Sequence, residues 1–152
     1  MKTIVIPSDF TLESVQVAEA IVRNEHEQIR IVFTHLFHIS DDIQDLLFST
    51  YRKKEHEYVS ANFQRELSMI KSIYPQLAEV KIEFFYGGRL ASFKHFLEYH
   101  GAETIGYSEK LGVNALCKSS IDALPIIKKC GLPLVNADLI AAGTFSHEMA
   151  TQ

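Results

Sequence analysis

Lys2–His35 reads KTIVIPSDFTLESVQVAEAIVRNEHEQIRIVFTH. Lys2–Pro7 is a short apolar run with a β-branched centre, which fits a strand buried on both faces. Ser8-Asp9-Phe10-Thr11 turns the chain, and Thr11 stands where a helix N-cap belongs. Leu12, Val15, Ala18 and Val22 then recur at helical spacing, and Gln28–His35 returns to Ile, Val and Phe. A strand, a helix and a strand in that order form the parallel crossover unit, so the fold is expected to be α/β.

The rest of the chain extends the same alternation. Asp41 and Asp42 can cap a helical region that Pro75 ends. Val59, Phe63, Leu67, Ile70 and Tyr74 share one face of it, whereas Leu47, Tyr51 and Tyr58 project elsewhere. A break near the polar run Arg52–Glu57 is therefore expected. Val80–Tyr86 is the third strand, and Gly87-Gly88 a turn. Leu90, Phe93, Leu97 and His100 stripe a short helix closed by Gly101. Thr104–Tyr107 is the fourth strand. Ser119 or Ser120 is expected to cap a helix reaching about Lys129, with Asp122 in a capping-box position and Pro125 distorting its first turns. Leu132–Val135 is the fifth strand. The order β-α-β-α-β-α-β-α-β predicts a three-layer α/β/α sandwich on a five-stranded parallel sheet.

Composition excludes several classes. The chain has 152 residues, 47% hydrophobic and 22% charged, with net charge −4, which suits an ordinary folded domain. Its 15 basic residues are scattered and make no nucleic-acid stripe. No apolar run approaches the roughly 18 residues of a membrane span. Met1 is followed almost at once by a strand, so no signal peptide is expected. Cys117 and Cys130 are the only cysteines, so reduced thiols and a cytoplasmic location are expected. A Cys117–Cys130 bridge stays open as the alternative.

In such sheets the ligand crevice lies at the carboxyl ends of the strands. That places Ser8 and Asp9, His35 and Leu36, Tyr86–Gly88, Tyr107–Lys110 and Asn136 around it. No nucleophile elbow is present. His35 and His38 fall on opposite faces of an extended strand with no Cys or acidic partner at ligand spacing, so no metal site is expected. Neither is a catalytic set, which leaves a small-molecule enzyme as the weakest reading.

These residues resemble a universal stress protein domain. The opening strand, Pro7, Asp9 and the helix entered through Thr11 are similar to that family's start. Phe84-Phe85-Tyr86-Gly87 resembles its third strand and turn, and Ser119–Val135 (SSIDALPIIKKCGLPLV) its closing helix, proline and last strand. The resemblance implies an adenine nucleotide alpha hydrolase-like fold over residues 1–137, with 138–152 a C-terminal tail. It also implies a homodimer paired through Leu132–Val135, and an unidentified protein partner. Nucleotide-binding members carry Gly-x2-Gly-x9-Gly-Ser/Thr. Here the spacing runs from Gly106 through Glu109 to Ser119 and Ser120, so two of the three glycines are replaced. Phosphate cradles need close backbone approach and often φ > 0. A carboxylate about 4 Å from a phosphate charge adds roughly 4 kcal/mol of repulsion at an effective dielectric of about 20. The expectation is a stress-response or regulatory homodimer without tight ATP binding. The alternative is an AMP- or ATP-binding switch using Asp9, His35, Gly106, Ser119 and Ser120.

Overall fold

The computed structural model describes residues 1–38 and 57–140. Five strands make one parallel sheet: β1 (Lys2–Pro7), β2 (Ile29–Phe37), β3 (Leu77–Tyr86), β4 (Thr104–Tyr107) and β5 (Leu134–Asn136). Their order across the sheet is β3-β2-β1-β4-β5. The chain moves outward from β1 to β3 and then returns to β1's other side as β4. The switch point, where a ligand crevice opens in this topology, therefore lies between the carboxyl ends of β1 and β4.

Helices cover both faces. On one, α1 (Leu12–Arg23) and α2 (Ala61–Ile73) press Val15, Ala18, Ile21, Phe63, Leu67 and Ile70 onto Ile4, Ile6, Ile31 and Phe33. On the other, α3 (Leu90–Tyr99) and α4 (Ala123–Ile127) press Phe93, Leu97 and Ile127 onto Val5, Val32, Leu36 and Ile105. Phe33, Phe63 and Phe93 are fully buried, each contributing about 1.5–3 kcal/mol by removal from water. The expected α/β/α sandwich is present. Thr34 is a flaw in this core: its hydroxyl is fully buried and finds no hydrogen-bond partner among the described residues.

Several boundaries differ from the sequence expectation. β2 continues two residues past His35, and β3 starts at Leu77, because the two strands pair along their whole length with an irregularity at Ile29/Arg30. α2 starts only at Ala61, capped by Ser60 Oγ, which accepts from Phe63 N at 3.1 Å. Glu57 and Tyr58 are helical, so an interruption falls at Val59–Ser60. The break was expected near Arg52–Glu57, of which residues 52–56 lie outside the described residues, as do Asp41, Asp42, Leu47 and Tyr51. α4 is five residues long and stops at Ile127. Its cap is Asp122, accepting from Leu124 N at 3.2 Å, and not Ser119 or Ser120. Pro125 falls in the first turn, where a missing N–H costs no helical bond. β5 begins at Leu134; Pro133 supplies only its carbonyl, which accepts from Ile105 N at 3.0 Å. Gly101 follows α3 at φ +66°, as a C′ residue should. Among the described residues no helix is long and apolar enough to cross a membrane.

Candidate functional site at the sheet switch point

Asp9 leaves β1 two residues after Pro7 and is 6% exposed. The turn that carries it is tight: Phe10 takes φ +59°, and Phe10 N donates to Ser8 Oγ at 2.9 Å. A large aromatic residue in the left-handed region is uncommon, and here the ring is held by Phe63 and Phe84 at centroid distances of 5.6 and 5.3 Å. Thr11 occupies the N-cap position of α1 but makes no side-chain cap. Its hydroxyl donates to Asp9 Oδ1 at 2.6 Å instead, alongside Ser14 Oγ at 3.0 Å and Thr11 N at 3.3 Å. The second oxygen, Oδ2, accepts from Asn114 N at 2.8 Å. Burial pushes the Asp9 carboxyl up, but the bonds from Thr11, Asn114 and Ser14 outweigh it and hold the group below its ordinary value.

His35 lies inside β2, 1% exposed, rather than at the strand's end. Nδ1 is 2.7 Å from the Ser8 carbonyl oxygen, which can only accept, so Nδ1 carries the proton. Burial pushes the imidazole below its ordinary value, partly offset by that bond and by the Asp9 charge, so the ring is neutral. Nε2 must then accept, and Ser120 Oγ donates to it at 2.8 Å. Ser120 Oγ in turn accepts from Leu116 N at 2.8 Å and Cys117 N at 3.3 Å. A serine facing a neutral histidine has the outline of a nucleophile and its base. Here, however, both lone pairs of the oxygen are occupied by backbone donors, and Ser120 serves as the hub of a loop.

That loop runs from the end of β4 to α4 and closes over the switch point. At its start Ser108 Oγ donates to Asp138 Oδ1 at 2.7 Å, and Lys110 N donates to Asp138 Oδ2 at 2.9 Å. Gly112 takes φ +61° and its N–H donates to the Ser108 carbonyl. At its end the chain lies antiparallel along β2: His38 N donates to Ser119 O at 2.7 Å, and Ile121 N to Leu36 O at 2.8 Å. Among the described residues, a small cavity beneath the loop, lined in part by Asp9, Ser14, Ser108, Leu111, Gly112 and Val113, measures about 10 Å³. That is about enough for one water.

The five expected site residues are thus separated in role. Asp9, His35 and Ser120 converge on the loop. Ser119 contributes a carbonyl. Gly106 lies inside β4, opposite Val135 of β5, where a methyl group would overlap Ile21 Cδ1 of α1 and crowd Ile6 Cγ1 at 3.4 Å. Close helix–sheet packing therefore favours a glycine here, since any side chain would have to push the end of Ile21 aside. Glu109 is exposed and accepts from Lys128 Nζ at 3.0 Å. The pairing cation comes from the C-cap residue of α4. Cys117 and Cys130 are free thiols, the latter buried. His100 caps the C-terminus of α3, its ring edge against Phe96 at 4.5 Å. No trio of His, Cys, Asp or Glu among the described residues is arranged to hold a metal ion. Asn114, Leu116 and Asp138 were missed by residue-type reasoning. Two of them act through backbone N–H groups, which carry no sequence signature, and Asp138 lies beyond the last strand.

No protein-family model matches the chain, and no curated protein does. Solved structures do. Universal stress protein UspA from Lactobacillus plantarum is 12% identical with a TM-score of 0.57, covering 89% of this chain and 96% of its own. Hypothetical protein PH0823 is 12% identical with a TM-score of 0.56, at 89% and 94% coverage. Hypothetical protein MJ0577 is 16% identical with a TM-score of 0.54, at the same coverages. At such identities the likeness is one of fold: the chain adopts the universal stress protein fold over nearly its full length.

Proposed function

We propose that the chain is a universal stress protein-like domain that acts as a homodimer in stress response or regulation and binds no nucleotide tightly. The observation that carries this reading is the closure of the switch point by residues 108–121. Asp9 already receives four donors and Ser120 Oγ two, while His35 has both nitrogens engaged. A ribose or phosphate entering between β1 and β4 would have to displace the Asn114 and Leu116 amides and enlarge a space of about 10 Å³. Buried polar groups give up such bonds only at the cost of their desolvation. Glu109, exposed beside Lys128, adds a carboxylate where a polyanion would approach.

For the homodimer, β5 supplies the contact. Among the described residues it pairs only with β4, and a short apolar edge strand invites pairing with its twofold mate. Leu132 and Leu134 flank Pro133 at this edge, and both pack against the α3/α4-side core while remaining partly exposed. The cytoplasm is the compartment that suits two free thiols.

Isothermal titration with ATP·Mg and with AMP, joined to a thermal-shift series at millimolar ligand, tests the ligand half of the proposal. No heat and no shift are expected. Micromolar binding of either nucleotide would replace this reading by the AMP- or ATP-binding switch. Sedimentation equilibrium tests the assembly half, with association to a dimer at least expected; a monomer at high protein concentration would contradict it.

A further inference from the structure

The sheet has two edges of very different length. β5 contributes three residues, whereas β3 contributes ten and, among the described residues, pairs on one side only. Gly87 N donates to Phe37 O at 2.8 Å, which fixes the phase of the β2–β3 ladder. In a parallel pair, alternate residues turn both backbone groups to the same neighbour. Glu79, Lys81, Glu83 and Phe85 therefore bond towards β2, and Val80, Ile82 and Phe84, past the irregularity at Ile29/Arg30, point their N–H and C=O groups outward. No described residue bonds to those outward groups. Charged residues along an edge often serve to discourage pairing, so the arrangement of the charges decides whether a second strand is accepted.

Side chains on the two faces of β3 differ as sharply as its edges. Val80, Ile82 and Phe84 pack against the α1/α2-side core yet stay partly exposed. Beside them runs an open groove of about 370 Å³, lined by Val80 and Ile82 of β3 and by Gln64, Leu67, Ser68 and Lys71 of α2. The opposite face presents Glu79, Lys81 and Glu83, an alternating charge series on which Lys81 Nζ lies 3.8 Å from Glu79 Oε1. Antiparallel self-pairing of this strand has few sensible registers. A twofold axis at Lys81 sets Lys81 against its own copy and Glu79 against Glu83. An axis at Glu83 sets Glu83 against itself. An axis at Val80 pairs Glu79 with Lys81 but leaves Phe84 beyond the overlap. An axis at Ile82 sets Lys81 against Glu83 twice, Val80 against Phe84 twice, and Ile82 against itself.

We propose that the β3 edge is an interface for a second copy of this chain, paired antiparallel about a twofold axis through Ile82. Because the axis is perpendicular to the sheet, both copies keep α2 on the same side. The two grooves then merge into one, floored by Val80, Ile82 and Phe84 of both chains and walled by the two α2 helices. Opposite charges face each other across the strands on the other side, the arrangement that stabilises cross-strand pairs. This contact is independent of the β5 dimer and lies at the far edge of the sheet. With both edges engaged, the assembly grows beyond a dimer as protein concentration rises.

Charge swaps and one cross-link, each made in the full chain, test the register. Lys81→Glu and Glu83→Lys should each weaken association at this edge about ten-fold or more, by turning two attractive cross-strand pairs into repulsive ones. The double swap Lys81→Glu/Glu83→Lys should restore it, which a loss of fold could not mimic. Ile82→Cys, in a Cys117→Ser/Cys130→Ser background, should form a disulfide-linked dimer under mild oxidation. Symmetry mates in such a pair have Cα atoms about 5.5 Å apart, within disulfide reach. Sedimentation velocity and non-reducing electrophoresis are the readouts. A wild-type dimer indifferent to both single swaps, with no cross-link through Ile82→Cys, assigns association to β5 and overturns the β3 pairing. A wild-type monomer at every concentration overturns both contacts.

Discussion

Asp9→Asn replaces one carboxylate oxygen by an amide NH2 with almost no change of shape. Oδ1 accepts from Thr11 Oγ, Ser14 Oγ and Thr11 N, and Oδ2 accepts from Asn114 N. The amide oxygen can satisfy the first group only if the NH2 confronts the Asn114 N–H, at a position 2.8 Å away. That leaves a buried donor unpaired, at a cost of about 1–3 kcal/mol, and turns the remaining charge-assisted bonds into neutral ones worth about half as much. The sum is about 3 kcal/mol, or a fall of roughly 6–12 °C in Tm for a chain of this size. Urea denaturation at pH 7 measures it, with the slope unchanged if only the native state is affected. The gap should also depend on pH with a definite sign. The folded-state pKa of Asp9 is depressed, so its stabilisation is complete above the unfolded value of about 3.9 and is lost as pH falls through the folded value. Wild type and Asp9→Asn should therefore converge only in that acid range. Equal stability at pH 7 would refute the role of Asp9 as the clasp of the loop.

Three further outcomes follow from the core and the site. His35 and His100 both have folded pKa values pushed down, first by burial, so stability should fall as pH drops below the unfolded value of about 6.5 and level off below the folded values. His35→Gln should remove part of that slope between pH 7 and 5 in denaturant titrations, and an unchanged slope would mean that His35 is already charged in the fold. Thr34→Val should raise stability by about 1 kcal/mol, since it removes a buried hydroxyl without a partner among the described residues while keeping the shape; calorimetry showing a loss would mean that the hydroxyl is satisfied. Gly106→Ala should cost about 1–3 kcal/mol by overpacking β4 against Ile21, read as a lowered urea midpoint.

Much of the architecture is written in apolar patterning. β1, β2 and β4 are buried on both faces, and such strands stand out as continuous apolar runs. The phase of α1 and α3 is equally visible, because Ala18 and Val22, or Phe93 and Leu97, recur on one helical face. Element ends were less legible where a polar residue had two uses. Ser120 looks like a cap but is drawn away by His35 and two amides, so Asp122 starts a shorter helix. Thr11 stands at the N-cap position yet spends its hydroxyl on Asp9. The candidate site was visible as a set of residue types after β1, β2 and β4. What closes it was not, because Asn114 and Leu116 act through the backbone, and Asp138 and Lys128 are brought in from outside the motif by the fold alone. Gly106 shows the converse: it sits at the first position of a phosphate-loop spacing, and the contact that favours a glycine is with a helix side chain.

The loop over the switch point is held by two backbone donors, Asn114 N to Asp9 Oδ2 and Leu116 N to Ser120 Oγ. Native-state hydrogen exchange at the Asn114 and Leu116 amides, with and without millimolar ATP·Mg or AMP, reads this directly. Both amides should be strongly protected by Asp9 and Ser120, and neither nucleotide should alter that protection. Exchange at the rate of an unstructured peptide, or a change in protection at these two amides on adding nucleotide, would contradict it.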